Sequence, residues 1–245
     1  LSEMSIKYYT TNQCIFASNM THKNYIKNFM LCKNCYKELL SAENFIQKEL
    51  RTRIAGYDVY IVPHIIYGEN LNKEKIKKMA EIIDPLTNTS KAIEAIADFR
   101  EETSRRLSVL NNENYIFLLN FIFFKKIQAA TKIQKMIKDV NPSVFSDISN
   151  SFFNTLDVFL EFFPQGICDG LKRKIGLGFI YYMHSVKLKD GTPTQFQKVL
   201  STYEALFCKK TLSQDVVFSN IVDVLINIWR EKHGYNTSFD KDKID

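Results

Sequence analysis

Apolar positions in this chain recur mostly at helical intervals, and a few runs break the rhythm. Leu39, Leu40, Phe45, Ile46 and Leu50 keep roughly that spacing and predict a helix over 35–53. It gives way at Gly56 to Tyr57-Asp58-Val59-Tyr60-Ile61-Val62-Pro63, an alternating run rich in β-branched and aromatic residues, which predicts a strand over 57–67. Gly68 to Asn72 reads as a polar turn, followed by a basic helix from Lys73 to Ile83. Asp84-Pro85 ends that helix, because the residue before proline is disfavoured in the α region. Thr89 or Ser90 then caps a helix with Ile93, Ile96 and Ala97 that runs to Leu107. Its later part is charged almost all round and holds pairs such as Glu101–Arg105 and Glu102–Arg106. A linker helix between two lobes has this pattern, so a boundary is expected near residue 108.

Tyr115 to Phe124 is apolar on both faces and periodicity alone leaves it ambiguous. Its length, its aromatic and Ile content and its flanks (Asn111-Asn112 and Lys125-Lys126) point to a buried strand. Residues 128–138 then read as a helix, with Ala129, Ile133, Met136 and Ile137 inward and Lys132, Lys135 and Lys138 outward. Asn141 as N-cap and Pro142 at the first position open the next helix. Its broad stripe runs from Phe145 to Phe163, and Pro164 stops it. Further helices are predicted over 166–186, from Thr192-Pro193 to Phe207, and from a Ser213 cap to Trp229. The polar tail from Gly234 reads as frayed, and the β-prone runs within 5–18 as two short strands or extended arms.

Composition narrows the class. Nineteen Phe and twelve Tyr against eight Gly and five Pro favour long regular elements around a sizeable core. No apolar run approaches the ~18 residues of a membrane helix, and no basic apolar leader opens the chain. The five cysteines, odd in number, do not resemble a secreted disulfide framework. These features predict a cytoplasmic protein without membrane contact. The chain starts at Leu1 rather than at methionine, which is read as a fragment of something longer. A formal charge of +6 permits nucleic-acid contact without demonstrating it, since solvated Lys-rich faces are common.

Cys32-Lys33-Asn34-Cys35 is the stretch with the most chemistry. Two cysteines two residues apart set their sulfurs on one side of a turn, the geometry of a zinc knuckle. A bare structural turn and a redox pair remain alternatives, although Lys33-Asn34 is unlike the usual redox linker. As a metal site the pair is half complete, and Cys14 with His22, or a second pair outside this chain, would complete it. The expected fold is therefore α+β and mostly α-helical. A small zinc-ribbon-like α+β portion with its linker helix spans 1–108, and a mainly helical lobe spans 109–245. Strands are expected at about 57–66 and 115–124, with only helices after residue 141.

His22, His64, His184 and His233 are scattered, and HExxH, GxSxG and Walker A patterns are absent. The sequence predicts no enzyme. Basic clusters remain as candidate phosphate contacts: Lys125, Lys126, Lys132 and Lys135, and separately Lys172, Arg173 and Lys174. Each has an ordinary solvated surface as its alternative.

The order Cys32-Lys33-Asn34-Cys35, helix, then Gly56 to Pro63 resembles one stretch of the CRISPR-associated large subunit of type I-B Cascade, the Csh-type family. A second similarity follows at the expected distance, in Tyr115 to Phe124, the segment 128–138 and Ile137-Lys138-Asp139-Val140-Asn141-Pro142-Ser143. Together they cover about residues 5–150. Members of that family carry an earlier cysteine pair, absent here, so the resemblance implies a half site for zinc at Cys32 and Cys35. It also implies a non-catalytic subunit of an RNA-guided surveillance complex. Such a subunit contacts the other Cascade subunits, guide RNA and target DNA, holds the guide end and inspects a short target-adjacent motif. The competing class is a zinc-ribbon or helical protein-interaction adaptor without nucleic-acid binding.

Overall fold

The structure, a computed structural model, describes residues 5, 31–54, 56–67, 72–78, 81, 116–127, 130–162, 177–184, 188–189, 192–193 and 196–229. The first element is helix α1 (Lys33–Glu49), and four strands follow: β1 (Arg51–Ile54), β2 (Tyr57–Tyr67), β3 (Ile116–Ile127) and β4 (Ala130–Val140). They form one antiparallel meander in the order β1-β2-β3-β4. Helices α2 (Val144–Phe162) and α3 (Leu177–Tyr182) come next, then a small hairpin of β5 (Leu188–Lys189) and β6 (Thr192–Pro193). Helices α4 (Phe196–Phe207) and α5 (Gln214–Trp229) complete the described chain, and residues 73–78 are also helical.

Strand alternation divides the meander into two faces, because directly opposed residues of an antiparallel pair point the same way. One face carries Val59, Ile61, Leu119, Phe121, Phe123, Ile137 and Val140, all buried. Against it pack Val144 and Phe145 of α2, Leu177 of α3, and Val199, Leu200, Tyr203 and Phe207 of α4. Phe121 stacks on Phe207 with ring centroids 4.8 Å apart, and the buried Tyr203 hydroxyl donates to the Leu177 carbonyl at 2.7 Å. Each fully buried Phe here contributes about 1.5–3 kcal/mol relative to exposure. On the opposite face Tyr60 and Phe124 stack at 4.0 Å, nearly parallel, and Ile46 brings α1 down onto them. Helices therefore pack on both faces of the sheet.

Several expectations are corrected. The fold is not a zinc-ribbon-like portion followed by a helical lobe: a four-stranded sheet is its centre, two strands lying before residue 108 and two after it. Residues 128–138, expected as a helix, belong mostly to β4. The reason lies in the register. β4 has extra residues at Gln134 and at Lys138-Asp139, where pairing with β3 shifts. Each bulge resets the alternation. Ile133 and Met136 thus share one face while Ile137 and Val140 share the other, spacings of three that imitate a helix.

The helix expected over 35–53 ends at Glu49, where the Leu50 N–H still bonds to the Ile46 carbonyl. Thr52 and Ile54 then face inward and Arg51 and Arg53 outward, a period of two over only four residues. The β5–β6 hairpin also corrects the expectation of helices alone after residue 141, since Thr192-Pro193 pairs with Leu188-Lys189 instead of opening α4. The strands at 57–66 and 115–124 and the helices ending at Phe207 and Trp229 correspond to β2, β3, α4 and α5. The helix over 89–107, the boundary at 108, most of 5–18, residues 166–176 and the tail lie outside the described residues.

Candidate nucleic-acid interface

Alternate connections of a meander emerge at the same end of the sheet. The β1–β2 and β3–β4 connections are therefore neighbours, and Arg51, Arg53, Lys125, Lys126 and Lys132 lie toward that end of the sheet, whereas Lys138 lies toward the other. Lys125 and Lys132 are directly opposed on one face, whereas Lys126 faces the other way beside Thr131. Among the described residues none of these three lysines has an ion-pair partner. Opposed like charges destabilise a strand pair, and a bound anion would relieve that repulsion.

Sequence reading missed two further cations. Arg51 and Arg53 lie on the Lys126 face of the sheet, and both bond Asp58, at 2.9 and 3.3 Å. The Arg51 guanidinium also lies 5.8 Å from the centroid of the Phe124 ring. One carboxylate between two guanidiniums leaves the edge net positive, and Arg53 stays 67 % exposed, free to reach outward. The signal was the alternation Arg51-Thr52-Arg53-Ile54, hidden by the apparent continuation of the preceding helix.

Lys135 behaves differently. It shares the inner face with Phe123, but its ammonium is held by Glu204 of α4 at 2.5 Å, with Ser201 beside it. Lys210 binds the same carboxylate at 2.7 Å. The hydrogen bond from Lys135, with that from Lys210 next, lowers Glu204 to about 2. Lys135 thus ties β4 to α4, while Lys125, Lys126 and Lys132 make no ion pair among the described residues. Lys172, Arg173 and Lys174 lie outside the described residues.

A family described as the central domain of the CRISPR-associated protein TM1802 matches residues 1–140. The chain belongs to that family. The TM1802 match ends at Val140, the last residue of β4, so it includes α1 and the whole meander but none of α2 to α5. No curated protein and no solved structure matches the chain.

Within the TM1802 match lies the cysteine pair. Cys32 is the N-cap of α1, and its Sγ accepts the Cys35 N–H at 3.3 Å. That N–H holds the Cys32 thiol below its ordinary value, while the hydrogen bond with Cys32 pushes Cys35 up. Both thiols are free and exposed, with sulfurs 3.2 Å apart. Tetrahedral zinc with Zn–S of about 2.3 Å separates its sulfurs by ~3.8 Å. The pair therefore fits one edge of such a site after a small rotation. Among the described residues nothing supplies a third ligand, and Cys14 and His22 lie outside them.

The two stretches that carried the sequence resemblance meet at the opposite end of the sheet. His64, next to Pro63, bonds through Nδ1 to Asp139 Oδ1 at 2.8 Å. Asp139 sits at the β4 bulge with φ of 57°, and its N–H donates to Asn120 Oδ1 at 3.0 Å. Both side chains of this pair are exposed.

Proposed function

We propose that this chain is a non-catalytic part of an RNA-guided CRISPR surveillance complex, of the type I-B large-subunit kind, and that it contacts the phosphates of guide RNA or target DNA. The observation that carries the reading is the convergence of Arg51, Arg53, Lys125, Lys126 and Lys132 at one end of the sheet in a TM1802-family chain. Strands hold these groups at fixed separations, so they suit a regular phosphate backbone better than a particular base. The buried Phe124 ring lies 5.8 Å from the Arg51 guanidinium and steadies that arginine at the sheet edge.

The test is a Lys125→Ala, Lys126→Ala, Lys132→Ala variant titrated with single-stranded and duplex oligonucleotides over a range of salt. Each lost phosphate contact removes about 0.7–0.9 from the slope of log affinity against log salt, or about 2–3 for all three. Affinity should fall similarly for every sequence. Unchanged affinity with an unchanged slope would sink the reading.

A second reading, a protein-interaction adaptor, is favoured by α5. Phe218, Leu225 and Trp229, spaced seven and four residues apart on one side of that helix, are all more than half exposed, and exposed apolar patches of this kind mark interaction surfaces. For the cysteines we propose a structural zinc half site. When bound, zinc would fix the entry to α1. Elemental analysis of the protein should find about one zinc per chain, retained at neutral pH and released on acidification as the thiolates protonate.

A further inference from the structure

Cys32 and Cys35 are free and exposed, and their sulfurs touch at 3.2 Å. Their position relative to α1 makes that contact. Residues three apart inside a helix hold their Cβ atoms about 5–6 Å apart, too far for the ~3.5–4.5 Å that a disulfide spans. Cys32 instead stands just before the helix as its N-cap, with φ of -69° and ψ of 160°. That extended backbone turns its side chain over the first turn, where Sγ accepts the Cys35 N–H at 3.3 Å. The Tyr36 N–H bonds to the Cys32 carbonyl at 3.0 Å, so the turn that carries both cysteines is closed. The sulfur contact falls between the ~2.05 Å of a disulfide bond and the ~3.8 Å edge of a zinc tetrahedron. Either partner is within about 1 Å of movement.

We propose that Cys32 and Cys35 form a thiol–disulfide exchange site, closed reversibly by a low-molecular-weight disulfide of the glutathione type. Cys32 is the attacking residue. Its exposed sulfur has the Cys35 N–H and the start of a 17-residue helix behind it, both of which favour negative charge. The Cys32 thiol gives up its proton, and its sulfur attacks one sulfur of the small disulfide. A mixed disulfide forms, the small S–S bond breaks and one small thiolate leaves. Cys35, already in contact, then gives up its proton and attacks Cys32 Sγ. The internal disulfide forms and the second small thiolate leaves. The leaving thiolates take up the two protons, so two cysteines are oxidised and one small disulfide is reduced to two thiols. The inference uses the sulfurs of the zinc reading without depending on it, because closure needs only the metal-free pair.

The experiment incubates the full chain, stripped of metal by a chelator, with oxidised glutathione, alkylates the remaining thiols and digests with trypsin. Cleavage after Lys33 separates the two cysteines, so an internal disulfide joins fragment 28–33 to fragment 34–37. The expected product is that joined pair, about 2 Da lighter than its two free fragments together, and it should disappear in excess reduced glutathione. Cys35→Ser should instead retain glutathione on Cys32 as a mixed disulfide. Zinc added before the oxidant tests the other reading: protection supports the half site, and its absence removes zinc while leaving the disulfide. The proposal is overturned by a natural chain alkylated at both positions, or by one that holds glutathione on Cys32 with the fragments unjoined. A Cys35→Ser chain that takes up no glutathione at Cys32 overturns it as well.

Discussion

Two residues on or beside α4 give this chain separate acid responses. His184, buried after α3 with its Nε2 3.0 Å from Thr202 Oγ1 of α4, is lowered by burial to about 4 against an ordinary 6.5, so the unfolded chain binds the extra proton first. Its contribution to stability is complete above about pH 6.5 and is lost as pH falls through 4. Glu204, lowered from 4.5 to about 2, acts in the same direction in a lower window, complete above pH 4.5 and lost as pH falls through 2. The Glu204→Gln variant should be less stable than the natural chain by about 1 kcal/mol at pH 7, since the pair is partly screened. Urea titrations at several pH values should show that gap closing between pH 4.5 and 2. Gly56 sets a further limit. Its φ is +86°, yet a Cβ there would meet nothing within 4 Å. Gly56→Ala should therefore cost about 1 kcal/mol from the backbone alone, read as a lower urea midpoint with an unchanged slope.

At the scale of elements, β3 is the central support. It has neighbours on both sides in the sheet, and Phe117, Leu119, Phe121 and Phe123 alternate onto the core face. Phe121→Ala should cost about 3–5 kcal/mol, seen as a large drop in midpoint, whereas Ile133→Ala on the 37 % exposed side of β4 should cost far less. Both β2 and β3 were legible because long aromatic runs with polar flanks have few other readings. By contrast, β4 was not, because its two bulges convert a period of two into steps of three. Four-residue β1 was too short to show any period against the helix before it. Of the candidate interface, the hairpin lysines could be read as a basic cluster. Arg51 and Arg53 could not, since only strand pairing sets them at the same end.

For the whole molecule, the place where the family match stops has a consequence. The sheet ends with Val140, but its inner face is closed by Val144, Phe145, Leu177, Val199, Leu200, Tyr203 and Phe207, all beyond that point. A chain cut after residue 140 would expose Phe121, Phe123 and Ile137 to water. It should be insoluble or loosely packed, giving fast amide exchange in β3 where the full chain is protected. Slow exchange in β3 of the 1–140 piece would show instead that the sheet and α1 suffice.

The sequence by itself determined where apolar residues can be buried, and so the existence of β2, β3, α4 and α5. It also placed the cysteine pair at the mouth of a helix and supplied the basic residues around 125–135. Those are local properties, written in spacing, flanking residues and charge. Only the tertiary structure decided which strands pair, that Lys135 is neutralised by Glu204 while Lys125, Lys126 and Lys132 have no ion-pair partner among the described residues, and that His184 is buried against Thr202 of α4. Each of these depends on register or on contact between distant elements. A single extra residue in a strand reverses the face of every side chain after it, and no local pattern records which partner will stand opposite.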